Sequence, residues 1–175
     1  MELYTFRLPS WNELPPMPLY LEQVINLVNG VFIMYDDKGS VNKLTKTMVS
    51  NYVKQSYIKA PINKKYDKES IAALMVIALL KNVLPINQVS ELISKATDNG
   101  RVQECYGKFC KILQGELALV FNPSSEEAKR ANEEYTSMRE DDMWRLCHAA
   151  CRSFASQLFV KSMIIAIETD EDVEE

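Results

Sequence analysis

From Pro18 onward the apolar residues fall into helical spacings, broken at a few points by turn formers. Leu21, Val24, Ile25 and Val28 recur at intervals of three and four, which puts them on one face of a helix. Asn29-Gly30 offers that helix a stop, although VFIM can continue it or form a short extended piece. Between Lys46 and Gln55 polar and apolar pairs alternate with a period of four. Lys46/Thr47, Ser50/Asn51 and Lys54/Gln55 share one face, and Met48/Val49 and Tyr52/Val53 share the other. Thr45 stands as the cap, and Leu44 before it is spaced to pack on Val49 as a hydrophobic staple. The spacing therefore predicts a helix over 45–55 with one buried and one polar face. Asp67 caps the next run, ESIAALMVIALLKNVL, which is apolar nearly all round and predicts the central buried helix. Pro85 then starts INQVSELISKA, closed by Asp98-Asn99-Gly100.

The flanking segments are of other kinds. Residues 1–18 contain Trp11 and the prolines Pro9, Pro15, Pro16 and Pro18, a spacing that suits an extended arm rather than a helix. DDKGS at 36–40 is a loop, and IKAPINKKY around Pro61 is a short extended excursion with the length of a small β-wing. Over 101–121, Val102, Cys105, Tyr106, Phe109, Ile112, Leu113, Leu117 and Val120 follow a helical period until Asn122-Pro123. From Ser124 on there is no Gly or Pro, so one long helix or two abutting ones run to about Ile167, polar first and apolar afterwards. The end, 168–175, is an acidic, frayed tail. Residues 143–167 raise a membrane question by their length. Arg145, His148, Arg152 and Lys161 interrupt them, and lipid burial would cost a few kcal/mol per charge, so a core helix is expected and no membrane partner.

Charge changes the picture more than composition does. The 175 residues are 47% hydrophobic, enough for an ordinary core, and carry a net charge of −4. Residues 41–100 nevertheless hold nine basic side chains against four acidic ones, and residues 124–175 hold six against thirteen. Between Val41 and Tyr66 there are six lysines and no Asp or Glu. The Debye length is about 8 Å at physiological salt, so a polyanion senses that local patch rather than the distant acidic end. Cys105, Cys110, Cys147 and Cys151, behind a start with no basic-then-apolar signal pattern, predict reduced thiols in a cytoplasm.

The order of elements from Leu44 to Ile93 resembles the DNA-binding domain of MerR-type regulators. LTKTMVSNYVKQSYIKAP stands where that family has its cap, recognition helix and exit turn. KKYDKESIAALMVIALLK is similar to its wing and following helix, and LPINQVSELI to the segment after that. Carried over residue by residue, Thr45 takes the cap, Ser50 the usual arginine, Asn51 and Tyr52 the tyrosine pair, and Lys64 and Tyr66 the wing's arginine and tyrosine. Ser56 stands where a turn glycine is usual, and the loop before Leu44 is longer than the family's tight turn. The full chain, through PLYLEQV and TKTMVSNYVK, also looks like an uncharacterised bacterial family known only as a domain of unknown function.

Spacing and resemblance together predict a mostly α-helical fold: an arm (1–18), a MerR-like winged helix-turn-helix with a small β-wing (19–96), the part that the resemblance implies, then a helical C-terminal region (101–167) and the tail. The resemblance implies double-stranded DNA as partner, a homodimer and transcriptional regulation. Helices 101–121 and 143–167 are the expected dimer surface because they carry more apolar stripe than a single short bundle consumes, and no catalysis is expected because no catalytic site assembles in the sequence. The expected DNA-binding residues are Lys46, Thr47, Ser50, Asn51, Lys54, Lys64, Lys65 and Tyr66. The chemistry of the face agrees with this, because lysines meet phosphates as point charges and Asn51 can pair with adenine through two bonds. Ser50 gives up the forked contact that an arginine would make. The competing expectation is an interaction module whose lysine face takes an acidic protein or the chain's own tail. Cys147-His148-Ala-Ala-Cys151 has zinc-binding residue types in a spacing foreign to fingers and ribbons, so buried thiols are expected and no metal or other cofactor. No phosphate loop or nucleophile elbow is visible, and a pocket lined by Tyr106, Phe109, Trp144, Phe154 and Phe159 stays open beside the reading of these residues as core.

Overall fold

The computed structural model describes residues 6–33, 43–139 and 142–171. These are mostly helical, with a small two-stranded sheet. The chain divides into two compact units, one of Leu8–Cys110 and one of Met1–Arg7 with Lys111–Glu175. The expected loop at 36–40 lies outside the described residues.

In the unit of Leu8–Cys110 the arm is not extended throughout. Trp11–Glu13 form a turn of 3-10 helix, whose preceding Ser10 amide donates to Glu13 Oε2 at 2.7 Å. Leu8 and Leu14 are buried, and the Tyr106 hydroxyl donates to the Pro9 carbonyl at 2.8 Å. Leu19–Tyr20 is a strand, β1, and only then does α1 begin, Leu21–Ile33. The helix runs through Asn29-Gly30 instead of stopping there. Asn29 is engaged sideways: its Oδ1 accepts from the Leu44 amide at 2.8 Å and its Nδ2 donates to the Leu44 carbonyl at 3.0 Å. That pair fixes the start of α2, Lys46–Lys54, against α1. Thr45 caps α2 by accepting from the Met48 amide at 3.2 Å, and Leu44 and Val49 are both buried, as the staple requires.

The wing region is a tight reversal. Ile62 and Lys65 exchange backbone hydrogen bonds of 3.0 and 2.9 Å around Asn63 and Lys64, both at positive φ (50° and 64°). Two consecutive left-handed residues are what a two-residue hairpin turn needs, and Asn is among the side chains that tolerate it. β2, Lys65–Tyr66, then pairs antiparallel with β1, Leu19 opposite Tyr66 and Tyr20 opposite Lys65. Asp67 caps α3, Lys68–Leu80, by accepting from the Ser70 amide at 2.8 Å, and α3 is buried on nearly every side. It stops before the end of its apolar run because Asn82 Nδ2 donates to the carbonyls of Ala78 and Leu79, both at 2.9 Å. α4 is Ile86–Thr97.

The division between units falls inside α5, Val102–Phe121. The second unit continues with α6, Glu126–Ser137, and α7, Met143–Glu171, the two-helix form of the expected glycine-free stretch. A Cβ on Gly115 would lie 2.7 Å from the Ala131 Cβ, so α5 and α6 meet where neither can carry a larger residue. Gly115→Ala should cost about 1–3 kcal/mol, read as a lowered midpoint in urea. Phe6 packs on Phe154 at 5.7 Å between ring centres, and Gln114 Nε2 donates to the Phe6 carbonyl at 2.8 Å.

α7 has two characters. Cys147, His148, Cys151, Phe154, Ala155 and Leu158 are buried, as expected of a core helix. Beyond them Phe159, Val160, Met163, Ile164, Ile165 and Ile167 are 37–56% exposed, which corrects the core-helix expectation for this half. By length and composition 143–167 could cross a bilayer, and only 22% of its most apolar window is buried. The helix also continues to Glu171 where a frayed tail was expected, and 172–175 lie outside the described residues.

Candidate nucleic-acid interface

The period-four pattern of α2 becomes two physical faces. Val49 and Tyr52 point inward and are buried, and burial raises the Tyr52 hydroxyl above its ordinary pKa. Lys46, Thr47, Ser50, Asn51 and Lys54 are all exposed. No carboxylate lies on α2 itself. Lys46 bonds Glu22 of α1, and Lys59 bonds Glu69 of α3, which raises the Lys59 pKa. The Lys46–Glu22 pair is exposed on both sides, and such surface pairs hold their partners weakly.

At the wing, Lys64 is exposed at the turn and Lys65 is half-buried, its ammonium 4.8 Å from the centre of the Tyr20 ring. Tyr66 departs from the expectation. It is only 5% exposed, because pairing with Leu19 turns its ring into the core, and burial raises its hydroxyl pKa. Tyr66 therefore anchors the wing, and the outward aromatic is Tyr20, 51% exposed. Sequence reasoning missed Tyr20 because its place follows from pairing with a strand some 45 residues away.

Ser56, in the turn leaving α2, has φ +59°. The position thus has the left-handed geometry for which glycine is the ordinary residue, and serine bears a Cβ clash of about 1 kcal/mol there. Ser56→Gly should stabilise the fold by about 0.5–1 kcal/mol, seen as a raised melting temperature.

The histidine of the cysteine–histidine segment belongs to a buried polar group. His148 Nδ1 lies 2.7 Å from Glu116 Oε1, and Arg152 donates from Nε to Oε2 at 2.6 Å and from Nη2 to Oε1 at 3.2 Å. Glu116 is 0% and His148 1% exposed. The Tyr135 ring of α6 lies against this group, 4.6 Å from the Arg152 guanidinium and 6.0 Å from the imidazole. Among the described residues no three His, Cys, Asp or Glu side chains are gathered as metal ligands. All four cysteines are free thiols, and burial lifts the Cys110 pKa to about 11. Glu116 was legible only as an acid within the apolar stripe of α5, four residues from Ile112 and three from Leu113.

The five aromatics considered as a pocket divide between the units. Tyr106 stacks edge-on with Trp11, and Phe159 edge-on with Phe121 at 5.4 Å. A family model described as a domain of unknown function, DUF1836, matches residues 9–109. No curated protein and no solved structure matches the chain.

Proposed function

The chain belongs to the DUF1836 family, and from that premise we propose that it is a non-catalytic, DNA-binding transcriptional regulator of the cytoplasm. The observation that carries the proposal is the outward face of α2: five polar residues, all exposed, with lysines at both ends and no acid on the helix. In this reading α1, α2, the β1–β2 wing and α3 form a MerR-like winged helix-turn-helix, and α2 enters the major groove. Asn51 reads adenine, Thr47 and Ser50 flank it, and Lys46 and Lys54 reach phosphates. Lys64 and Lys65 grip the flanking backbone, with Tyr20 beside them and Tyr66 holding the wing from beneath.

A palindromic site needs two copies. Val160, Met163, Ile164 and Ile167 are exposed at the i, i+3, i+4, i+7 spacing of a coiled-coil seam, which supports a homodimer through the distal half of α7. Ile164→Glu is expected to shift the sedimentation of the protein from dimer to monomer. The direct test of DNA binding is fluorescence anisotropy with a labelled duplex, titrated in salt. If about three of the four lysines Lys46, Lys54, Lys64 and Lys65 in each protomer neutralise a phosphate, log K should fall with log salt at a slope near −5.

The Lys46–Glu22 and Lys59–Glu69 pairs favour a second reading, an interaction module, because they already present carboxylates to these lysines. Absence of duplex binding at low salt selects it.

A further inference from the structure

The unit of Leu8–Cys110 contains a cavity of about 460 Å³ bounded by the exit turn of α2, the start of α3 and the length of α4. That volume lies within the roughly 300–1,000 Å³ range of small-molecule sites. Val53, Ile58 and Ile93 give it apolar wall. Ser90, Ser94 and Thr97 of α4 follow one another at four and three residues, so their side chains share the helix face that lines the cavity. The Thr97 hydroxyl donates to the Ile93 carbonyl at 2.8 Å, which leaves its oxygen as an acceptor and the two serines as the donors. At its wall Lys59 and Glu69 neutralise each other.

We propose that this cavity binds a small ligand of zero net charge, with an apolar body and a hydroxyl, amide or ring N–H edge, and that the bound ligand changes how α2 meets its partner. The chemistry follows from the wall. A hydroxyl both donates and accepts, so the α4 side suits a neutral polar edge in either sense. The charged side chains of the lining, Lys59 and Glu69, are already paired, so a ligand bearing a net charge must compete for a partner and loses its hydration. The branched residues Val53, Ile58 and Ile93 accept the apolar body. The coupling to α2 follows from position: Val53 is in the last turn of α2, and Ser56, whose left-handed backbone is uncomfortable for a non-glycine residue, is in the next. A ligand filling the space presses on the backbone that sets the direction of α2. The binding claim stands without the proposed function; the coupling claim rests on it.

The test uses the full chain, methyl-labelled at Ile, Val and Ala, with indole, phenol and benzamide as neutral probes and benzoate and benzylamine as charged ones. Saturable methyl shifts at Val53, Ile58 and Ile93 are expected with at least one neutral probe at millimolar concentration, and at least about fivefold weaker binding of the charged probes. Ser94→Trp, bulky at an exposed rim position, and Ala73→Leu, which fills the cavity from α3, should each abolish the shifts. No saturable shift with any neutral probe, shifts that survive both substitutions, or equal binding of charged probes would overturn the site. With a probe bound, the duplex affinity measured by anisotropy should change by about fivefold or more, the scale of ordinary coupling between sites. An unchanged affinity overturns the coupling. A protein that binds probes but no duplex at any salt concentration overturns the proposed function and leaves the cavity assignment standing.

Discussion

Glu116→Leu is expected to destabilise the second unit by about 3–5 kcal/mol, the cost of stranding a buried charge by removing its partner. The carboxylate is wholly buried and takes three hydrogen bonds, one involving His148 Nδ1 and two from Arg152. Leucine matches its apolar neighbours in volume but leaves a buried imidazole and a guanidinium facing hydrocarbon. Arg152 is 32% exposed and can turn part of its head to water, whereas His148, at 1%, cannot. The loss is a large share of the 5–15 kcal/mol typical of a whole domain and should lower the melting temperature of that unit by more than about 10 °C. Glu116→Gln keeps an acceptor in place and should cost less. Replacing the group together, as Glu116→Leu with His148→Leu and Arg152→Met, should recover much of the loss, because apolar replacement of a whole buried ionic group is often neutral or stabilising. Trp144 lies in the same unit and Trp11 in the other, so fluorescence of a Trp11→Phe background reports the affected unit alone. If Glu116→Leu melts like the parent, the group does not hold the unit together.

The elements that local chemistry determines were legible in the sequence, and those that depend on distant partners were not. α2 could be read because its cap, its staple and its two faces are all set within a dozen residues; Thr45, Leu44 and Val49 do what their spacing implies. α3 could be read from the Asp67 cap and continuous apolarity, although its end was set by Asn82, whose side chain competes for the last carbonyls. β1 was hidden because two residues before a strong helix carry almost no strand signal, and only pairing with Lys65–Tyr66 makes them one. That pairing reverses the role of Tyr66 and brings out Tyr20. At Asn29-Gly30 the sequence leaves a stop and a continued helix both open, and a distant partner decides between them. Asn-Gly is a turn signal, but the Asn29 side chain has Leu44 to satisfy it, and the helix passes through. In α7 a uniform apolar stretch hid a change of environment, since periodicity records that a residue is hydrophobic and not whether anything covers it. The Glu116–His148–Arg152 group escaped notice because its members are 32 and 36 residues apart and each looks ordinary in its own helix.

Reversing the charge of Lys46, Lys54 and Lys64 together, each to Glu, should abolish duplex binding, weakening it by about 10³-fold or more at physiological salt. If the six corresponding lysines of a dimer each release close to one counterion, each contact contributes on the order of 1 kcal/mol at ~0.15 M salt, and the reversal adds repulsion to that loss. The three residues are exposed, so the change should leave folding close to that of the parent. It also separates electrostatic from base-reading roles. Asn51→Ala should cost about 1–3 kcal/mol on the preferred sequence and little on an arbitrary duplex, with the salt slope unchanged, because it removes base contacts and no phosphate contact. Lys54→Ala should weaken both duplexes alike and reduce the slope by about 1 per protomer. Tyr66 gives the opposite control: buried as it is, Tyr66→Phe should alter affinity less than Tyr20→Ala, which removes the ring beneath Lys65. A triple reversal that binds duplex as the parent does, with the same salt slope, leaves the outward face of α2 without a part in nucleic-acid recognition and turns its lysines toward an acidic protein partner.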